Sequence, residues 1–172
     1  LMLRREVVHA LGYRDRGWPE DYDFLLRLLT RGDEVGVVPR RLLSWRDTPG
    51  RLSRINPTYA LARFTACKAS FLATSFLQDT QTYIVWGYGD TGKTLRQALL
   101  AHGKIASHII EIHPGRLGNR IHNAPVIPPE DLVHVPRQRV VVSVAGAQAR
   151  HEIRQMMARL GFVELRDFVC AA

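Results

Sequence analysis

The stretch that most constrains this chain spans residues 83–94, Tyr Ile Val Trp Gly Tyr Gly Asp Thr Gly Lys Thr. A short apolar run enters a glycine-rich turn and a helical pattern leaves it, the order in which a strand, a phosphate-cradling loop and a helix N-terminus follow one another. Two motifs overlap here. Gly87, Gly89 and Gly92 have the spacing GxGxxG, whereas Gly87, Gly92, Lys93 and Thr94 have the spacing GxxxxGK(S/T). They imply different ligands, so the remaining sequence has to decide between them.

The second spacing is that of a P-loop, which needs a later strand bearing a carboxylate to hold a magnesium ion. The strongest later apolar run, residues 139–145, contains no acid, and the P-loop match reads as accidental. The first spacing is that of a Rossmann unit, which asks for an acidic residue about 20 positions past the glycines, at the end of the second strand. Glu111 stands there. A complete dinucleotide domain has two mononucleotide halves, and the residues that follow suffice for one half and a little more. A bound NAD is therefore less expected than the motif alone suggests, and a tight turn with close helix packing is the plain structural alternative.

The chain of 172 residues has room for one domain or two small ones, and 46% hydrophobic with 23% charged residues excludes a disordered chain. A net charge of +8 invites phosphate-bearing partners, yet the arginines are scattered without a dense basic block, so no nucleic-acid partner is expected. Cys67 and Cys170 lack partners at metal-ligand spacing, which indicates neither a zinc site nor a disulfide framework. With no secretory signal and no apolar run long enough to span a bilayer, a cytoplasmic location is expected. His102, His108, His113 and His122 have no metal-site spacing either, and no metal ligand set is predicted.

Taken in order, residues 5–11 read as a short helix stopped by Gly12. Pro19, the acids Glu20, Asp21 and Asp23, and the closing Gly32 outline a second helix, with Tyr22, Leu25, Leu26 and Leu29 at the spacing of one buried face. Residues 35–38 read as a short strand, leading to a polar loop over 46–53. This order resembles the C-terminal third of a family 2 glycosyltransferase catalytic domain of the GT-A type. The resemblance rests on Leu3 Arg4 Arg5, Gly12 Tyr13 Arg14, Glu20 Asp21 Tyr22 Asp23 with Leu26 Arg27 Leu28, and Trp45 Arg46 through Pro49 Gly50 and Ser53. It implies a sugar transferred from a nucleoside diphosphate donor to an acceptor hydroxyl, with Asp21 as general base and Glu20 beside it. Thr48 stands where many members have a metal-binding histidine, and the donor-binding half with its divalent metal would precede Leu1. The resemblance thus implies a fragment, inactive alone, of a longer transferase whose partners are a sugar nucleotide and an acceptor.

Residues 56–77 read as a linker helix with Pro57 near its start, for which a membrane-surface role is the alternative. From residue 80 onward the pattern alternates strand and helix: strands at 82–86, 107–112, 124–127 and 139–145, helices at 91–101, 129–132 and 147–160, and an edge strand within 162–170. The fold class is α/β, a parallel sheet covered on both faces. The expected divisions are 1–55, 56–79 and 80–172. This last part is similar to the small Rossmann-type domains appended to bacterial glycosyltransferases and placed at the front of sugar O-acyltransferases. The likeness covers residues 85–93, Glu111 Ile112 His113 Pro114, Gly118, Pro125 Val126 Ile127 and Pro129 Glu130 Asp131 Leu132. It implies a nucleotide or sugar nucleotide at Gly87, Gly89, Gly92 and Glu111, as a regulatory binding module or an NAD-binding protein. Ser143, at the end of a parallel strand, would either line a phosphate pocket or only end the strand.

Overall fold

A computed structural model describes residues 2–44, 46 and 48–172. Leu1, Trp45 and Asp47 lie outside the described residues, and with them the Trp45 that the glycosyltransferase pattern used. The chain divides into two compact units, Leu1–Cys67 and Lys68–Ala172.

The first unit is helical. Helix α1 spans Arg5–Leu11 and ends at Gly12, and α2 spans Glu20–Arg31 and ends at Gly32. The one-turn helix α3, Leu52–Ile55, leads to a 3-10 turn, Pro57–Tyr59, whose Thr58 amide is capped by the Asn56 side chain. Helix α4, Leu61–Thr74, begins in this unit and continues into the second. The face that α2 buries differs from the one its leucine spacing suggests: Asp23, Phe24 and Leu28 are buried, whereas Leu29 is 50% exposed. The reason is electrostatic. Asp23 is fully enclosed and accepts from Arg14 Nη2 at 2.8 Å, Arg27 Nε at 2.7 Å and Trp18 Nε1 at 3.2 Å. Arg27 also donates to the carbonyls of Leu11 and Gly12, closing the C-terminal end of α1 onto α2. A helix rotated to put Leu29 inside would leave this buried acid and its cations without each other.

The strand expected over residues 35–38 does not form. That segment lacks regular structure, and Val35, Val37 and Val38 are 46%, 89% and 58% exposed. A short extended run becomes a strand only when a neighbouring strand takes up its backbone hydrogen bonds, and the described residues of this unit contain none.

The second unit is the α/β part. Strand β1, Thr82–Trp86, leads to α5, Asp90–Leu100, then β2, Ile105–Ile110. After a 3-10 turn at Pro114–Arg116 come β3, Arg120–Ile121, and β4, Ala124–Ile127. A 3-10 segment, Pro129–His134, precedes β5, Val140–Val142, then α6, Ala147–Arg159, and β6, Phe168–Cys170. The six strands are ordered β3-β4-β2-β1-β5-β6, all parallel except the β3–β4 pair.

Strand β1 is central, and its side chains alternate between two cores. Tyr83 and Val85 join Leu95, Leu99, Ile109 and Val126 with Ala69, Leu72 and Ala73 of α4, whereas Ile84 and Trp86 join Ile110, Val140, Ile153 and Met157. A strand buried on both faces reads as a continuous apolar run, which is why residues 83–86 show no alternation in sequence. The β3–β4 hairpin is the one strand pairing the sequence pattern does not show. Its two-residue turn, His122-Asn123, has φ of 49° and 67°, the left-handed pair that a tight hairpin turn requires. Asparagine tolerates that conformation, but histidine in the first position hides the signal.

Candidate functional site

The chain leaves β1 toward β2 on one side of the sheet and leaves β5 toward β6 on the other, so β1 and β5 flank the topological switch point. In open parallel sheets ligands bind in the crevice beyond the carboxyl ends of such a strand pair. A cleft of about 650 Å³ opens there, walled by the Gly87–Tyr88–Gly89 loop, the end of β2 at Glu111, the end of β5 at Ser143, and Ile153 and Met156 of α6.

Three glycines build the loop, and each meets a different environment. Gly87 has φ of +89°, and a Cβ there would lie 2.6 Å from a methyl of Val144. Only glycine makes that turn at that depth. Gly92, in the first turn of α5, lies against the loop itself: a Cβ would be 2.2 Å from the Gly87 carbonyl oxygen and 2.7 Å from Ser143 Oγ. Gly89 differs from both, since a Cβ on it would meet nothing within 4 Å. It precedes α5, no side chain caps that helix, and Gly89, Asp90 and Thr91 line the cleft. Uncapped amides of a first helical turn form an anion-binding end. Sequence spacing singles out these three glycines; in the structure Gly87 makes the turn, Gly92 packs against it and a Cβ on Gly89 would face open space.

Ser143 serves the loop rather than the cleft opening. Its hydroxyl donates to the Gly87 carbonyl at 2.6 Å and lies 3.2 Å from the Trp86 carbonyl, fixing the loop to β5. The P-loop alternative loses its chemistry in the same place. Thr94 Oγ1 donates to the Asp90 carbonyl at 2.8 Å within α5, Lys93 pairs with Asp90 at 3.3 Å, and β5 carries no acid.

Glu111 lies at the cleft margin with its side chain 12% exposed. Its Oε1 accepts from the Ile112 amide at 2.9 Å and its Oε2 from Arg116 Nη1 at 3.0 Å. Burial pushes its pKa up, but the Ile112 amide, the Arg116 guanidinium and the amides of Tyr88 and His113 outweigh it and hold the carboxyl below its ordinary value. Glu111 is therefore an anion at neutral pH. Arg116 Nη1 also donates to the Tyr88 carbonyl at 3.0 Å, so this one cation ties the acid to the glycine loop. The spacing argument missed Arg116, which follows Glu111 by five residues and owes its position to the 3-10 turn at Pro114–Arg116. His113 Nδ1 accepts from the Gly115 amide at 3.2 Å and starts that turn, the capping task a short acidic side chain also performs.

Glu20 and Asp21 are far from such a site in character. Asp21 is exposed on the first turn of α2 and its Oδ1 accepts from the Tyr22 amide, whereas the Glu20 carboxylate accepts from the Tyr59 hydroxyl at 2.7 and 2.8 Å. The buried acid of that helix is Asp23, whose oxygens are taken by Arg14, Arg27 and Trp18. Burial pushes the Cys67 thiol up to about 12 and the Cys170 thiol up as well, which leaves neither as a nucleophile. Among the described residues no group of three His, Cys, Asp or Glu could hold a metal ion, and no helix is long and apolar enough to cross a membrane.

No protein-family model matches this chain, and no curated protein matches its sequence. Solved structures that align with it include RSP, a Rex-family repressor, and RSP in complex with beta-NADH, each at 15% identity and a TM-score of 0.43. Both alignments cover 95% of this chain, and 78% and 79% of the respective RSP chains. At those values the likeness carries no argument about this protein's activity. The glycosyltransferase reading is corrected here: no family model and no curated sequence supports a GT-A domain, and neither structure named above is a glycosyltransferase. The assignment to a GT-A transferase falls with it. So do the sugar-nucleotide donor and acceptor as partners, and the exclusion of nucleic acid is withdrawn.

Proposed function

We propose that the second unit is a nucleotide-binding module of Rossmann type, taking a nucleoside diphosphate group, as in NAD(H), in the cleft at the Gly87 loop. The observation that carries this reading is Gly89. Between two glycines filled by their surroundings, it alone opens onto unoccupied space beside the uncapped first turn of α5. A diphosphate approaching there would meet backbone amides and the positive end of the helix dipole. Glu111, ionised and across the margin, would accept from ribose hydroxyls through the lone pairs that Ile112 and Arg116 leave unused. The apolar wall formed by Ile153 and Met156 suits the flat face of a base. The division proposed on this basis is a module from about Lys68 onward, since Ala69, Leu72 and Ala73 of α4 close one of its cores, preceded by a helical segment.

The experiment is a thermal-shift series on the full chain with NAD(H), ATP and UDP-glucose. A ligand at 100 times its Kd adds about 2.7 kcal/mol to stability, a rise of several degrees for a chain of this size. Gly89→Ala supplies the control. Its backbone, φ −72° and ψ −169°, is one that alanine adopts freely, so stability is expected to stay within about 0.5 kcal/mol. The added methyl stands where the diphosphate approaches, and nucleotide affinity is expected to fall at least about tenfold, that is by about 1.4 kcal/mol. Unchanged affinity in the variant would remove the loop from the site.

A further inference from the structure

A second cavity of about 420 Å³ adjoins the cleft and shares Tyr88 and Arg116 with it. Its other polar walls are Lys93, Arg96 and Gln97 of α5 and His122 of the hairpin turn. The charges around it do not cancel. Lys93 is matched by Asp90 and Arg116 by Glu111, but half-buried Arg96 makes no hydrogen bond or ion pair among the described residues. Arg116 retains N–H donors, because both of its bonds are made by Nη1.

We propose that this cavity is a phosphate-monoester site, with Arg96 as its principal cation and Lys93 and Arg116 at its rim. A dianionic phosphate matches a planar guanidinium in shape as well as charge, and it would complete the cation here that no carboxylate among the described residues meets. Two sources supply that chemistry. One is a phosphate carried on the ribose of a nucleotide seated in the adjoining cleft, as in NADP(H), a source that rests on the nucleotide reading above. The shared wall formed by Arg116 places the cavity beside Glu111, whose charge Arg116 already pairs, so the carboxylate is left to the remaining ribose hydroxyl. The other source is a separate phosphate-bearing molecule, which needs no nucleotide in the cleft.

The test is calorimetric titration of the full chain with NAD+, NADP+ and inorganic phosphate, repeated for Arg96→Gln and Lys93→Gln. For a ribose phosphate, NADP+ binds at least about tenfold more tightly than NAD+, the scale of one charge-assisted contact. Arg96→Gln then removes most of that ratio without changing the affinity for NAD+, and Lys93→Gln lowers it less. For a separate phosphate, the inorganic ion binds saturably in the presence or absence of NAD+, and Arg96→Gln abolishes it. Phosphate binding without any nucleotide binding would uphold this site while sinking the nucleotide reading. Equal affinities for NAD+ and NADP+ with no saturable phosphate binding overturn the proposal, as does indifference of every titration to both variants.

Discussion

Gly92→Ala is expected to destabilise the second unit by about 3 kcal/mol, the upper end of what an added methylene costs in a packed interior. The new Cβ would lie 2.2 Å from the Gly87 carbonyl oxygen and 2.7 Å from Ser143 Oγ, and the first of these neighbours is backbone. A flexible side chain swings aside from such a contact, but this carbonyl is fixed by the Ser143 hydroxyl at 2.6 Å and by the turn at Gly87. Relief therefore requires α5 to move off β1, which lifts Leu95 and Leu99 from the core. A fall in the thermal midpoint on the order of 10 °C follows, with loss of nucleotide binding because the amides of the first helical turn leave the cleft. Differential scanning calorimetry checks the first part and titration the second. A variant as stable as the parent would mean that the helix does not lie on the loop as described.

Asp23→Ala is the second large effect, expected to cost the first unit about 3–5 kcal/mol, as removal of one member of a buried ion pair does. Arg27, 12% exposed, would lose its ion partner while its other nitrogens stay committed to the carbonyls of Leu11 and Gly12. Asp21→Asn, on an exposed side chain two residues earlier in the same helix, is expected to change stability by less than about 0.5 kcal/mol. The contrast has a pH counterpart. Burial raises the Asp23 pKa, but Arg14, Arg27 and Trp18 together pull it below its ordinary value. A carboxyl with a lower pKa folded than unfolded contributes stability that is complete above the unfolded value, about 3.9, and is lost as pH falls through the depressed folded value. Urea midpoints of the first unit, followed by amide hydrogen exchange of α2, should thus decline below about pH 4 in the parent. In Asp23→Ala that part of the decline is absent, and its persistence would contradict the network.

Much of the second unit is legible in the residues because its signals are local. Strand β1 and the loop after it are specified by an apolar run meeting three glycines, and Glu111 by its distance from them. The roles of those glycines were less legible, since the spacing is the same whether Gly89 opens onto a ligand or onto nothing. What separates it from Gly87 and Gly92 is the approach of Val144 and Ser143, some 50 residues later in sequence. Arg116 and Arg96 belong to no motif, and only the 3-10 turn at Pro114–Arg116 and the packing of α5 bring them to the same cavity. The first unit misled for a physical reason. Apolar spacing on α2 favours a face with Leu29, but a buried carboxylate with two arginines overrides that preference. The acidic helix start that is catalytic by resemblance contains one buried structural acid, Asp23, a half-buried Glu20 held by the Tyr59 hydroxyl, and an exposed Asp21.

The central claim is that a nucleotide lies on the Gly87 loop, and amide hydrogen exchange of the full chain with and without saturating NADH tests it most directly. The account predicts added protection at residues 87–93 and around Glu111, in the parent and not in Gly89→Ala, with α1 and α2 unaffected. Protection confined to other segments, or the same protection in Gly89→Ala, would contradict it.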